Sequence, residues 1–522
     1  MAANQPSSTP PALQQRLNCI WDDFKCYAEE SQANWQVPGM AIAVVSGDSD
    51  KPIYTLFSGV KRLGGGDPID GQTVFQIGSA SKAFTAALLA ILVDEEKVNW
   101  TDRVVDHIPG FEMYDPWVTR EFQVRDLMAQ HSGMQPNAGD MMAYIGMSRD
   151  YIESKIRFMK PFSSFRADFG YVNNLSLVAA DLIERKSEKK TWAEIVEEKI
   201  FGPLGMESST VMFDSFRKAP NVASPHKWIN GKVTALETDA PRLSWVYTYA
   251  PAGGVNSTLL DMARWVRMLL GKGSFEGTQI MSPENLGFVL SPQTVLSNRP
   301  GSEPLAPPIL TNYPRFYCEG WFFFALQPCP LIWHTGDTNF MHSAVALIPD
   351  ANLGIVFLTN LGWARLVDAL VLKFYDLYFQ QFSDYFHNQP GVDWSKLYDE
   401  KCQEEITKGL ARFAKRPEGA PPPQPLSRYT GTFHNSVYGD LNVDRDPNCE
   451  TKLRLIVGPS NMTIELEPWN RDTFVASQPG YDAFFGESGF VSFAFGGQGN
   501  VESITLDAIS DVDDCRFVIR EK

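Results

Sequence analysis

A serine and a lysine three residues apart at the start of a helix can act as a nucleophile and its base, and residues 75–93 offer that arrangement. The stretch Phe75-Gln76-Ile77-Gly78-Ser79-Ala80-Ser81-Lys82-Ala83-Phe84-Thr85 runs into the apolar segment Ala86 to Val93, which reads as a short turn opening a buried helix. At this spacing Ser79 and Lys82 share one face about a turn apart, with the hydroxyl towards the N-terminus. A helix N-terminus favours negative charge developing on the serine oxygen. An amine in apolar surroundings has a lowered pKa and can accept the serine proton.

Spacing alone does not select this pair, because Ser-x-x-Lys recurs at Ser187, Ser215 and Ser224. Ser187 stands in the charged run Glu184-Arg185-Lys186-Ser187-Glu188-Lys189-Lys190, while Ser215 and Ser224 lie in polar stretches near Pro220 and Pro225. All three are expected on solvated surface. Only Ser79 combines a preceding glycine with a following apolar helix. Its plainest competing role is a helix N-cap.

Two further motifs follow in order. Tyr171-Val172-Asn173 sits in a loop entering a helix, and His334-Thr335-Gly336-Asp337 ends a strand. A serine and lysine at three residues, then Tyr-x-Asn, then His-Thr-Gly, resembles the penicillin-recognising serine hydrolases. These comprise class C β-lactamases, D-alanyl-D-alanine carboxypeptidases, D-aminopeptidases, and related esterases and acyltransferases. Gln130-His131-Ser132-Gly133-Met134, Pro251 to Ser257, Pro349-Asp350 and Leu358-Thr359-Asn360 resemble the same family, over about residues 30–380.

The resemblance implies a role for each matching position. Ser79 would be the acylated nucleophile. Lys82 and Tyr171 would share general-base work, their protons kept mobile by mutual hydrogen bonding. The backbone N–H groups of Ser79 and Asp337 would form an oxyanion hole. Asn173, His334, Thr335 and Gly336 would bind substrate, Asn173 by orienting the acyl side chain and Lys82. His334 stands where class C β-lactamases carry a lysine that meets the substrate carboxylate. An imidazole holds a carboxylate less firmly than an ammonium, which speaks against efficient β-lactam turnover. His131-Ser132-Gly133 also fits His-x-Gly but follows a helix, and reads as a helix end closed by Gly133.

The elements that must position these groups are legible as patterns. Leu13, Leu17, Ile20, Trp21, Phe24 and Tyr27 mark an amphipathic helix over 12–35. Met40 to Ser46 and Ile53 to Phe57 flank a polar turn and read as a hairpin. Helices are predicted at 124–130, 175–185, 192–200 and 258–271, and sheet returns at 320–324, 331–333, 343–349 and 354–359 before a closing helix at 364–379. The fold class is therefore α+β, an antiparallel sheet assembled from both ends of the sequence with a helical lobe inserted. A site is expected at the seam of the two. The aromatic region Tyr313 to Trp333 reads as sheet core. Alternatively, with the proline-rich Arg299 to Pro314 loop, it would line an apolar acyl pocket.

Residues 1–11 read as a flexible tail, 12–412 as the catalytic domain, 413–426 as a proline-rich extended linker and 427–522 as a small all-β barrel. That last segment resembles the lipocalin-like barrel following the catalytic domain in some family members. It is expected to restrict access to the cleft.

Composition bounds the rest. The 522 residues carry 62 acidic and 46 basic side chains, a formal charge of −16, which argues against nucleic acid or anionic membrane as a partner. No apolar run approaches the roughly 20 residues that span a bilayer. The amino end lacks the pattern of a signal peptide, so a cytoplasmic location is expected. The seven cysteines are widely spaced and read as reduced thiols, and no metal or other cofactor is called for. His107, His226, His342, His387 and His434 show no ligand spacing.

The expected activity is a serine hydrolase or acyltransferase working through an acyl-Ser79 intermediate on an ester, thioester or amide of a small molecule. Water, an alcohol or an amine would accept the acyl group, and fungal members of the family point to secondary metabolism. The alternatives are a D-aminopeptidase- or β-lactamase-like amide hydrolase and, from another class, an inactive ligand-binding or scaffold module.

Overall fold

The computed structural model describes residues 11–520 except 189, 230, 241–242, 297–307, 381–391, 414, 478–487 and 508–514. An eight-stranded sheet runs in the order 54–59, 39–46, 353–359, 342–348, 331–337, 322–324, 315–317, 294–295. Every neighbouring pair is antiparallel. The sheet thus draws its strands from both ends of the domain, as the patterns predict. The strand Gly39–Ser46, second in this order, is buried along its whole length, and its side chains divide by parity. Met40, Ile42 and Val44 face one apolar core, with the helices Pro11–Asn34 and Leu366–Phe379. Ala41, Ala43 and Val45 face the other, with the helices Lys82–Asp94 and Leu259–Leu270. A strand residue alternates faces with period two, so the alanines at 41 and 43 leave room for helices to approach that side closely.

The helix Lys82–Asp94 is buried from Lys82 through Leu92, with Phe84 stacked on Trp265 at 4.3 Å. A helix apolar all round is a core helix, so the residues at its start are fixed by packing on every side. The helical lobe differs from the pattern reading in places. Between 124 and 130 only a three-residue 3-10 turn, Val124–Asp126, forms. His131 therefore does not end a helix. Its ring instead joins a buried network, with Nε2 2.8 Å from Asp126 Oδ1 and Nδ1 2.9 Å from Thr294 Oγ1. Residues 192–201 form a helix, Trp192–Val196, that widens into a π-turn, Glu197–Phe201.

Ser224 and Lys227 are buried rather than solvated. They flank His226 at the entry of a short strand, His226–Ile229, that packs beneath Asn360 and Phe340. On extended backbone a three-residue spacing does not bring serine and lysine onto one face.

The C-terminal strands close into an eight-stranded antiparallel barrel running from Gly431–Asn435 to Arg516–Ile519. A helix unforeseen in the sequence, Trp394–Ala411, precedes it. The proline-rich connector lies along the barrel rather than standing free: Arg471 N donates to Pro421 O and Gln424 N to the Tyr429 hydroxyl. Residues 1–10, the Arg299 to Pro307 part of the proline-rich loop and His387 lie outside the described residues.

The barrel docks on the helical lobe through the turn 458–461. Ser460 Oγ donates to Ile145 O at 2.8 Å, and Gly458, at φ +65°, would place a Cβ only 2.2 Å from the same carbonyl. Gly458→Ala is expected to cost about 1–3 kcal/mol in backbone strain and to lift the turn off Ile145. A lowered unfolding midpoint together with faster proteolytic cleavage between the two domains, against an unchanged Gly409→Ala control, is the result to look for.

Candidate active site

The turn that carries Ser79 is held by three hydrogen bonds from two neighbouring segments. Ile77 N donates to Val255 O, Ser343 Oγ donates to Ile77 O at 2.7 Å, and Val255 N donates to Ser81 Oγ. Gly78 to Ser81 form a 3-10 turn feeding directly into the helix at Lys82, and neither of the two helix starts is capped by a side chain. Ser79 is therefore not an N-cap. It stands half-buried inside the first turn, its hydroxyl free for other work.

The strand Leu331–Asp337 crosses this turn at the closest range that backbone permits. A Cβ on Gly336 would lie 1.8 Å from Ile77 O and 2.8 Å from Ser79 N, and one on Gly78, at φ +53°, would lie 2.7 Å from Asp337 N. Only two glycines allow the approach. It brings the Asp337 amide against the turn that carries Ser79.

Lys82 lies behind Ser79 and is fully buried. Its Nζ donates to Ser79 Oγ at 3.2 Å, to Asn173 Oδ1 at 2.6 Å and to the carbonyl of Ala252 at 3.0 Å. Burial pushes its pKa down to about 7, against the opposing pull of Asp140. The ammonium is thus poised to lose its proton near neutrality.

Tyr171 comes from the loop before the helix Asn174–Arg185. Its ring is partly exposed, but the hydroxyl is buried and meets no hydrogen-bond partner. Burial raises its pKa. Lys82 and Tyr171 are not mutually hydrogen-bonded. Nζ instead lies over the ring, 4.7 Å from its centroid. The reason is competition: Asn173 and Ala252 offer better-placed acceptors for the same ammonium protons.

His334 is buried beside them. Its Nδ1 is 2.5 Å from Thr335 O, which can only accept, so the proton sits on Nδ1 and Nε2 accepts from the Tyr317 hydroxyl at 3.1 Å. Burial and the nearby Lys82 push its pKa down to about 3, so the ring is neutral. Tyr317, Phe169 and Phe322 complete an aromatic wall: Tyr171 and His334 lie 6.2 and 5.9 Å from the Tyr317 ring, and Phe322 lies 5.2 Å from His334. The aromatic region is therefore both sheet core and site lining.

The fold brings Ser79, Lys82, Tyr171, Asn173, His334, Thr335, Gly336 and Asp337 together from three separate segments. Ser79, Tyr171, Asn173, Thr335 and Asp337 are part-exposed, while Lys82 and His334 are buried behind them. Sequence reasoning missed Asp140 and the Ala252 carbonyl, and it reached Tyr317 only as part of the aromatic region 313–333. Ala252 falls within a stretch noted for its resemblance. Asp140 carries no motif, and only the folded chain reveals it.

Comparison with known proteins accords with this geometry. A family profile described as beta-lactamase matches residues 25–364. The chain belongs to the beta-lactamase family. A second profile, a domain of unknown function, matches residues 415–518. An unguisins hydrolase of Aspergillus campestris is 27% identical over 446 residues, covering 81% of this chain and 77% of that protein. Penicillin-binding protein 4 of Amycolatopsis lactamdurans is 27% identical over 340 residues, covering 63% of this chain and 82% of that protein. In fold, the octameric penicillin-binding protein homologue of Pyrococcus abyssi matches with a TM-score of 0.59 at 18% identity, over 95% of this chain and 99% of that one. Its likeness spans the barrel as well as the sheet domain. Among the described residues of this family member, no helix is long and apolar enough to cross a membrane.

Gly336→Ala is expected to force the strand away from the Ser79 turn. Fluorophosphonate labelling of Ser79 should slow by about 10²-fold or more if the Asp337 amide is thereby withdrawn from the reacting centre. Time-resolved intact mass of the folded variant reads this directly.

Proposed function

We propose that this protein is a serine hydrolase that cleaves a small-molecule amide or ester through an acyl-Ser79 intermediate. The observation that carries the reading is the buried Lys82 Nζ, 3.2 Å from Ser79 Oγ and held there by Asn173 and Ala252. Ser79 Oγ adds to the substrate carbonyl as neutral Lys82 takes its proton. The tetrahedral oxyanion is received by the amides of Ser79 and Asp337. Collapse expels the amine or alcohol, which takes the proton that Lys82 accepted from Ser79, directly or relayed by the Tyr171 hydroxyl. Water then repeats the sequence on the acyl-enzyme, and a carboxylic acid leaves. The Aspergillus campestris relative is called a hydrolase, which favours water over an alcohol or amine as acceptor.

The neutral His334 bears on substrate choice. Its Nε2 is engaged by Tyr317 and its ring carries no charge, so the position offers no cation to a carboxylate. The substrate is accordingly one without a carboxylate beside the scissile bond. β-Lactams and peptides cleaved next to their free C-terminus are disfavoured. The barrel's role is to restrict entry to the cleft. The ligand-binding alternative, without turnover, leaves a fully buried lysine at a serine hydroxyl without a purpose.

Intact-mass spectrometry tests the reading. Wild type and Ser79→Ala are exposed briefly to p-nitrophenyl esters, acyl thioesters, D-amino acid amides and nitrocefin. An adduct on wild type alone supports it; no adduct from any class, with a fluorophosphonate also inert, overturns it. Lys82→Ala is expected to lower kcat/KM by about 10²–10⁴-fold. Because Lys82 must be neutral to act, kcat/KM should rise with pH along a limb centred near 7, the folded pKa, and lie flat well above it. For matched substrates, a free carboxylate next to the scissile bond should lower kcat/KM at least tenfold relative to its methyl ester or amide.

A further inference from the structure

Asp140 is the acidic group nearest the buried lysine, and its placement is built rather than incidental. It closes the turn Asn137 to Asp140, with Asp140 N donating to Asn137 O at 3.0 Å and Asn137 N donating to Tyr171 O at 2.7 Å. Asn174 Nδ2 donates to Ala138 O at 2.6 Å, and the Tyr249 hydroxyl donates to Gly139 O at 3.1 Å. The turn is thereby clamped to the loop and helix that carry Tyr171 and Asn173. Asp140 itself is 4% exposed, out of reach of a substrate in the cleft.

Its carboxylate Oδ2 accepts from Asn173 Nδ2 at 2.8 Å, and Asn173 Oδ1 accepts from Lys82 Nζ at 2.6 Å. A carboxylate can only accept, so it compels Asn173 to turn its amide nitrogen towards Asp140 and its oxygen towards Lys82. Without that charge the side-chain amide could rotate by half a turn and present N–H groups to the lysine once Nζ has lost its proton and can itself accept. Asp140 therefore decides which end of Asn173 the lysine meets.

We infer that Asp140 is a positioning residue of the Ser79 site, one that fixes the orientation of Asn173 and through it the proton-accepting lysine. The inference rests on the acyl-serine reading above. It adds that the basicity of Lys82 is set by a balance: burial disfavours the ammonium, and Asp140, relayed by Asn173, restores it to a level at which the lysine can still accept a proton. The other groups around Lys82 cannot do this. Tyr171 presents a ring and a neutral phenol, and His334 a neutral imidazole. Gly320 packs against the Lys82 carbonyl, and burial pushes the pKa of its neighbour Glu319 well above normal, away from the charged form. Ser79 carries no charge before reaction.

The test uses the full chain and p-nitrophenyl acetate. Wild type is first shown by intact mass to acylate Ser79, and its kcat/KM is then measured from pH 5 to 9 beside Asp140→Asn and Asp140→Glu. The expected result for Asp140→Asn is an acid limb displaced to lower pH by about one unit or more, with a plateau lowered at least threefold, because the lysine becomes a weaker base. Asp140→Glu, which keeps the charge, should keep the limb of the wild type. If Asp140→Asn does not fold, Asp140→Ser supplies the same reading. Loss of activity with an unmoved limb would show that Asp140 serves packing alone and would overturn the inference. Failure of the wild type to acylate would instead defeat the acyl-serine reading, so the two failures are distinct.

Discussion

The site depends on one close approach, the crossing of the strand Leu331–Asp337 over the turn at Ser79. Side chains cannot intervene there: a methyl group on Gly336 would overlap the carbonyl of Ile77, and one on Gly78 would meet the Asp337 amide. The benefit of this contact is geometric. Two backbone amides from different segments are fixed beside one serine by the sheet and the core helix, with no flexible side chain involved. Donors held in advance need not be reorganised when charge develops, and that is where such a site gains most of its effect. The whole sandwich of helix, sheet and helix can be seen as the frame that holds these two backbones together.

Placing a lysine behind the serine imposes the opposite demand. The ammonium must be buried deeply enough to release its proton near neutrality, yet a buried charge without partners would not be tolerated. The chain answers with three acceptors around Nζ, of which only one is linked to a formal charge, and that charge is a residue removed at Asp140. Direct contact between carboxylate and ammonium would hold the proton too firmly. An intervening amide weakens the attraction and fixes the direction of the hydrogen bond. His334 meets the same pressure differently. Next to a cation and buried, it gives up its own charge, and the aromatic wall of Tyr317, Phe322 and Phe169 closes around a neutral ring.

Much of this was legible because local pattern and tertiary role coincide. The helix after Ser79 is apolar from Ala86 to Val93, the strand Gly39–Ser46 is an unbroken buried run, and the barrel strands alternate, so period and composition point to the same elements that form. The three motifs lie in chain order and meet in space. What was not legible depends on partners distant in sequence. His131 looked like a helix end because nothing nearby revealed Asp126 and Thr294 as its partners. Ser224 looked solvated among polar neighbours, although Asn360 and Phe340 cover its segment. Asp140 follows Asn-Ala-Gly, a sequence that says only "turn". Its function arises from Asn173, which is 33 residues further on.

The position of that turn also gives the barrel a physical connection to the site. A single short helix, Met141–Tyr144, runs from Asp140 to Ile145, whose carbonyl receives the Ser460 hydroxyl of the barrel. Four residues of helix make one turn, and the hydrogen bond from Ile145 N to Met141 O ties its two ends together. The contact at the rim of the barrel thus stands one helical turn away from the carboxylate that orients Asn173. The short stretch of chain that receives the barrel's hydroxyl at one end carries, at the other, the residue on which the partner of Lys82 depends.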